Sequence, residues 1–177
     1  MRRGRWTEWT IKGNIGFPPL FLSKLDGSAM KIELDAMDAR ILDILQSDAR
    51  TTMAEIGRRV HMSQPAVAER VRRMEAAGVI AGYHAQVNPA ALGYGITAFI
   101  RVSKRSHQTP VEVVAAELPE IVECHSITGD DCSIVKVIAP SVAELEKVIV
   151  ALTRCGVTST SLILSSFIER KAIKPAG

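Results

Sequence analysis

Nothing in this chain approaches the ~20 consecutive apolar residues of a membrane-spanning helix. The longest early apolar stretch, Gly16 to Leu22, is broken by Pro18 and Pro19, so it lacks the continuous core of a signal peptide. These absences make the cytoplasm the expected compartment and leave no membrane role. The three cysteines, at positions 124, 132 and 155, show neither CxxC nor Cys/His ligand spacing. They read as reduced, core-filling thiols rather than a metal site or a disulfide framework. No GxGxxG, P-loop or HExxH is present. The four histidines (His61, His84, His107, His125) join no Ser/His/Asp or metal-ligand pattern. The expectation is therefore a non-enzyme with no metal and no cofactor.

Excess charge is also scarce. The net charge is +3, but residues 1–31 carry six Lys/Arg against two acids, residues 32–83 carry seven against eight, and residues 84–177 balance nine against nine. The global excess sits in the N-terminal tail, so a nucleic-acid reading has to rest on a local patch. With 47% hydrophobic and 23% charged residues the composition is that of a globular protein, and 177 residues can form two small domains.

Residues 1–29 show neither helical nor strand periodicity. They read as a flexible extension through residue 31, with Met30 a candidate for the true translation start. From Leu34 the pattern sharpens. Leu34, Met37, Ile41, Leu42 and Leu45 form the stripe of an amphipathic helix, with Asp35 as N-cap and Asp38 in the first turn, where the helix dipole favours a carboxylate. Thr52-x-x-Glu55 is a capping box for a second helix with Ile56 and Val60 inward. Ser63 caps a third, with Pro65 in its first turn, Val67, Val71 and Met74 inward, and Gly78 as its stop. Three short helices with a tight turn between the second and third predict a trihelical helix-turn-helix over 32–83. Val79 to Val87 reads as a strand, a wing, and 84–95 as a linking strand and hinge broken by Asn88-Pro89, Gly93 and Gly95.

The period then changes. Ile96, Ala98, Ile100 and Val102 alternate as a half-buried strand. Thr109-Pro110-Val111-Glu112 reads as a capping box with Pro at the first helical position, opening a helix with Val111, Val114, Ala115 and Leu118 inward and Pro119 at its end. Strands at Ile121–Thr128 and Cys132–Ala139 flank a Gly129-Asp130-Asp131 turn. Ser141-x-x-Glu144 caps a helix with Val142, Leu145, Val148, Ile149 and Leu152 inward, and Val157–Ile168 is the last strand. The fold class is therefore α+β: a winged three-helix helix-turn-helix followed by a ferredoxin-like βαββαβ domain at 96–171 and a tail at 172–177. The sheet face away from the helices, with Phe99, Val122, Cys124, Val135 and Val137 as its candidates, is expected to be apolar and to be covered by self-association.

The third helix carries the chemistry. Between residues 58 and 73 lie Arg58, Arg59, Arg70, Arg72 and Arg73 against one acid, Glu69. Two readings fit: a solvated basic face, or a DNA-contacting patch in which Arg forks onto phosphate oxygens or guanine O6/N7. The trihelical setting favours the second. Ser63, Gln64, Pro65 and Ala66 are short enough to let the helix start approach DNA. Gln64, Pro65, Ala68, Glu69 and Arg72 point away from the core as readers. Arg58, Arg59 and Arg73 suit backbone anchoring, with Arg70 in the same patch.

The motif Leu34-Asp35-x-x-Asp38-x-x-Ile41-Leu42-x-x-Leu45-Gln46, with Ala49-Arg50 and Met62-Ser63, resembles the N-terminal domain of the Lrp/AsnC (feast/famine) family of transcriptional regulators. So do Arg70-Val71-x-Arg73-Met74-Glu75-x-x-Gly78-Val79-Ile80-x-Gly82-Tyr83, Asn88-Pro89 and Leu92-Gly93-Tyr94; the C-terminal half is similar mainly in layout and at Thr128-Gly129. The resemblance implies a nucleoid-associated regulator binding pseudo-palindromic double-stranded DNA, with its helix-turn-helix at Met53–Arg72. It also implies a homodimer, often assembling to an octamer or higher, and an amino acid or related small molecule as effector. The effector loop would be Thr128, Gly129, Asp130 and Asp131. Physically, a Gly-bearing turn offers backbone amides to a carboxylate and an Asp accepts from an ammonium group, although a plain hairpin turn fits the same residues. Two further readings stay open: a decarboxylase of the tetrapyrrole (sirohaem) type sharing this layout, with His84 and His125 as its histidines, or an effector-sensing partner that does not touch DNA.

Overall fold

The structure is a computed structural model that describes residues 32–104 and 109–176. The predicted N-terminal extension, the start at Met30 and the loop position of His107 lie outside these residues. The chain divides into two compact units. One extends to His84 and includes the tail from Ala172; the other is Ala85–Lys171.

The first unit holds α1 (Ala36–Ser47), α2 (Met53–Val60) and α3 (Gln64–Ala76). Each start is dictated locally. Asp35 accepts from the Met37 and Asp38 amides at 2.8 Å, and Asp38 returns the bond to the Asp35 amide, a closed capping box built from two aspartates. Thr52 and Ser63 cap α2 and α3 through the Glu55 and Ala66 amides. The Glu55 carboxylate does not complete its box, because Arg58 and Arg59 draw it along the helix. His61 ends α2 in the left-handed region (φ 58), and a Cβ on Gly57 would stand 2.5 Å from the Met62 carbonyl, so the turn into α3 closes only over a glycine. After α3, Gly78 (φ 71) closes a Schellman motif, its amide donating to Glu75 and the Val79 amide to Met74. Ile41, Ile56, Val60, Val67, Val71 and Met74 form the core, each nearly or wholly inaccessible. At about 1.5–3 kcal/mol per buried aliphatic side chain, this stripe-to-stripe packing holds three helices too short to persist alone.

The predicted wing strand at Val79–Val87 does not form: residues 81–88 are irregular and exposed. Strand geometry needs a hydrogen-bonded neighbour, and among the described residues the chain supplies none there. The tail returns to this unit instead. The Gln46 side-chain amide donates to the Ile173 carbonyl (2.9 Å) and accepts from its amide (2.8 Å).

The second unit opens with a short 3-10 turn, Ala90–Leu92, and contains β1 (Ile96–Lys104), α4 (Val111–Glu117), β2 (Ile121–Ser126), β3 (Ser133–Ala139), α5 (Val142–Leu152) and β4 (Gly156–Leu162). The sheet order is β2-β3-β1-β4, all antiparallel, as a βαββαβ ferredoxin-like fold requires. Ala98, Ile100, Val102, Val135, Val137 and Ala139 pack with Val111, Val114, Leu145, Val148 and Leu152. Several expectations change here. Pro110, not Thr109, occupies the N-cap of α4 and makes no side-chain cap bond, and the helix ends at Leu118 because the residue before Pro119 is driven extended. Val142 is 70% exposed, lying to one side of the Leu145-Val148-Leu152 stripe. The last strand stops at Leu162, since β1 begins at Ile96 and offers no partner beyond the Ile163 amide.

The faces of the sheet are also reassigned. Val135 pairs with Ile100 and Val137 with Ala98, which puts both on the helix side, fully buried, and Cys124 sits opposite Val135 on that side at the edge. Val122 lies at a register irregularity between Ile121 and Glu123. The β3 sequence Ile-Val-Lys-Val-Ile is apolar at both alternations, so only its register on β1 decides which set turns inward. The open face is mixed: Phe99, Ile134 and Ile138 stand among Arg101, Lys136, Glu123, His125, Ser159 and Ser161. Of the cysteines only Cys155 is a core residue; Cys132 is half-buried and Cys124 exposed.

Candidate functional site

The α3 helix presents its first turn to solvent. Ser63, Gln64 and Pro65 are exposed, Ala66 and Ala68 half-buried and Glu69 exposed, with Val67 beneath them in the core. The Ser63 hydroxyl accepts from the Ala66 amide and its carbonyl from the Val67 amide, and Pro65 has no N–H, which leaves the Gln64 amide as the first-turn donor without a helical partner. One turn on, Arg72 is 69% exposed and pairs with Glu69, three residues back on the same helix. On α2, Arg58 and Arg59 are exposed and lie against Glu55, whose carboxyl they hold below its usual range, the Arg59 hydrogen bond contributing most. Such solvated pairs are worth little and yield readily to a phosphate.

Arg70 and Arg73 are placed differently. Arg70 donates to Asp35 (2.6 Å) and to Asp38 (2.8 Å), and Arg73 donates to the other Asp38 oxygen (2.5 Å). The Asp38 side chain is completely inaccessible, and Arg70 is 26% exposed. The predicted patch of five arginines thus divides by partner: three pair with acids of their own helix, and two, Arg70 and the 47%-exposed Arg73, bond to the internal Asp38. Sequence reasoning gave Asp38 only a first-turn role. Its signal was available: Asp38 falls between Leu34, Ile41 and Leu45 on the apolar stripe, where a carboxylate needs internal donors. Arg40, also unassigned by the sequence, donates to the Arg59 carbonyl at the end of α2. Tyr83, after the Schellman turn, folds back so that its hydroxyl donates to Glu75 on α3 (2.9 Å); burial, then this bond, pushes its pKa up to about 12.

In the sheet unit the loop between β2 and β3 holds Thr128, Gly129 (φ 115) and Asp130 exposed together. Asp131 turns inward, accepting from the Ser103 hydroxyl at 2.5 Å with the Arg101 guanidinium 3.7 Å away. The Cys132 amide donates to the Val102 carbonyl, tying the loop end to β1. Of the two histidines in the decarboxylase reading, His84 is exposed beyond Tyr83, and His125 lies beside Glu123 on the open sheet face. Among the described residues no group of His, Cys, Asp and Glu could hold a metal ion, and no helix is long and apolar enough to cross a membrane.

Comparison with known proteins bears on both units. Residues 34–75 match the AsnC-type helix-turn-helix domain and residues 97–173 the Lrp/AsnC ligand binding domain. The chain is 38% identical over 133 residues to the HTH-type transcriptional regulator YezC of Bacillus subtilis, covering 75% of this chain and 95% of that one. It is 36% identical over 126 residues to the leucine-responsive regulatory protein of Rhizobium meliloti, covering 68% of this chain and 80% of that one. The solved structure of Bacillus subtilis LrpC superposes with a TM-score of 0.74 at 29% identity, covering 78% of this chain and all of the other. The capped trihelical unit, the ferredoxin-like unit and these matches agree: the chain belongs to the Lrp/AsnC family of transcriptional regulators.

Proposed function

We propose that the chain binds pseudo-palindromic double-stranded DNA as a homodimer, or as an octamer or higher assembly of dimers, through the start of α3, and that an amino acid bound at the sheet unit modulates this binding. The observation that carries the reading is the exposed, N-capped first turn of α3 standing with three surface arginines on one compact scaffold. Gln64, Pro65, Ala68, Glu69 and Arg72 are the reading positions; Gln64 and Arg72 supply the hydrogen bonds that distinguish base edges. Arg58, Arg59 and the Ser63 end of the helix contact phosphate. Arg70 and Arg73 act on α3 through the buried Asp38.

The effector reading rests on the matched ligand binding domain, on the leucine-responsive name of one relative, and on the composition of the 128–131 loop. The Gly129 turn offers backbone amides to a carboxylate, and Asp130 faces solvent where it can accept from an ammonium group. Asp131 shapes the loop through Ser103 and Arg101. Dimerisation through the open sheet face is supported by Phe99, Ile134 and Ile138 lying there outside the core.

A gel shift on the DNA upstream of this chain's own gene and its divergent neighbour tests the DNA reading. A discrete complex that survives competitor DNA, weakens steeply with salt and weakens further in Arg72→Ala is the expected result. Equal binding by Arg72→Ala at moderate salt would sink the assignment of α3. Calorimetric titration with the twenty amino acids tests the effector; no heat from any of them leaves only a hairpin turn.

A further inference from the structure

Asp35 and Asp38, contributed by α1, meet Arg70 and Arg73 of α3 in a neutral quartet. One carboxylate, Asp38, is wholly buried and receives three donors: Arg70 at 2.8 Å, Arg73 at 2.5 Å and the Asp35 amide at 3.1 Å. The other, Asp35, is half exposed and takes the same Arg70 nitrogen at 2.6 Å. If Arg70 swung out to a phosphate, a buried charge would lose one of its two guanidinium partners, a far larger loss than breaking a solvated pair. Arg58, Arg59 and Arg72 face a different situation, since neither of their partners, the half-buried Glu55 and the exposed Glu69, is closed off from water.

We propose that Asp35 and Asp38 withhold Arg70 and Arg73 from DNA and thereby set the ratio of sequence-specific to non-specific binding. This rests on the DNA-binding reading above and adds a role to residues that contact no base. Non-specific affinity grows with each cation that reaches a phosphate, whereas base readout depends on how α3 is held. The quartet acts on both at once. It ties down two positive charges, the largely covered Arg70 and the 47%-exposed Arg73, on a buried acid, and it fixes the rotation of α3 against α1, which aims Gln64 and Arg72. Arg70 is doubly bonded, and its pKa is raised further by the Asp38 bond first and the Asp35 bond second, so the guanidinium stays charged and committed. Asp38 is thus a positioning residue, and Asp35 the solvent-side half of the same clamp.

The test compares the full chain, Asp38→Asn and Asp35→Ser by fluorescence anisotropy. Each is titrated with an operator duplex and an unrelated duplex of equal length over a range of salt. Asp35→Ser keeps an N-cap hydroxyl and the buried acid, so it reports on a folded protein even if Asp38→Asn melts. The expected result is a rise in affinity for the unrelated duplex, roughly threefold per released guanidinium at low salt. The slope of log affinity against log salt should steepen by up to about 0.9 per arginine. The operator-to-unrelated ratio should fall in both variants, more in Asp38→Asn if it folds. A merely structural role lowers both affinities and leaves the slope alone, so that pattern, or unchanged non-specific binding and slope in Asp35→Ser, overturns the proposal. If the parent chain binds the operator and the variants behave this way, the clamp alone is wrong. A parent chain that binds neither duplex overturns the DNA reading and the clamp with it.

Discussion

In the helical unit a charge is buried: Asp38 is inaccessible, and two arginines and an amide meet it. Among its described residues the sheet unit buries only apolar side chains and Ser133, and keeps its charges at the surface: on the open face Lys136 holds the Glu123 carboxyl below its usual range and Arg101 lies over Asp131, and on the helices Lys147 pairs with Glu144. The difference follows from what each unit has to hold in place. Three short helices packed by apolar stripes can rotate about their axes at little cost, and a buried, directional charge cluster removes that freedom. A four-stranded sheet already fixes every residue by its hydrogen-bonded register, so its core can be purely apolar.

The comparison can be broken by removing one core side chain from each unit. Ile56→Ala and Ile100→Ala each delete a wholly buried side chain and should cost about 2–5 kcal/mol, confined to the unit that holds it, because the two cores share no residue. Hydrogen exchange read by mass spectrometry checks this; protection lost equally in both units by either substitution would show that they fold as one. Gly57→Ala should cost somewhat less, about 1–3 kcal/mol, since its Cβ meets the Met62 carbonyl and the α2–α3 turn must open. It should reduce operator binding more than it lowers the melting temperature, a split visible by running both measurements on the same sample.

The smallest effect concerns Tyr83. Tyr83→Phe removes one exposed-side hydrogen bond to α3 and should cost about 0.5 kcal/mol at neutral pH. Its folded pKa, about 12 against an ordinary 10.0, is raised, so its contribution is complete below pH 10 and disappears as pH rises through 12. The stability difference between parent and variant should therefore shrink over that alkaline window. A difference that stays constant there would mean that the hydroxyl does not link the segment after Gly82 to α3.

The helical unit was largely legible in the sequence because its signals are local. Asp35, Thr52 and Ser63 cap the helices from the next turn, and Val67-Val71-Met74 repeats at helical spacing. What escaped was long-range: Asp38 reaches partners 32 and 35 residues away, and no local pattern names them. The sheet unit's order of elements was equally readable, since its periods change where the strands do. The faces were not, because β3 is apolar on both sides and only pairing with β1 chooses between Val135 and Ile134. The wing strand failed for a related reason: residues 79–87 carry strand-like composition, but among the described residues no neighbouring strand pairs with them. In the candidate site, helical phase was enough to tell which α3 positions face away from the core. The division of its arginines into surface and clamped groups depended on acids from another helix.

The most direct test of the account is selection of bound sequences from a random duplex pool by the parent chain and by Gln64→Ala. If the first turn of α3 reads bases, the parent should enrich a two-fold symmetric site, and the variant should lose its preference at one position in each half-site while its affinity for unrelated DNA stays the same. Identical enriched sites from both proteins would contradict it.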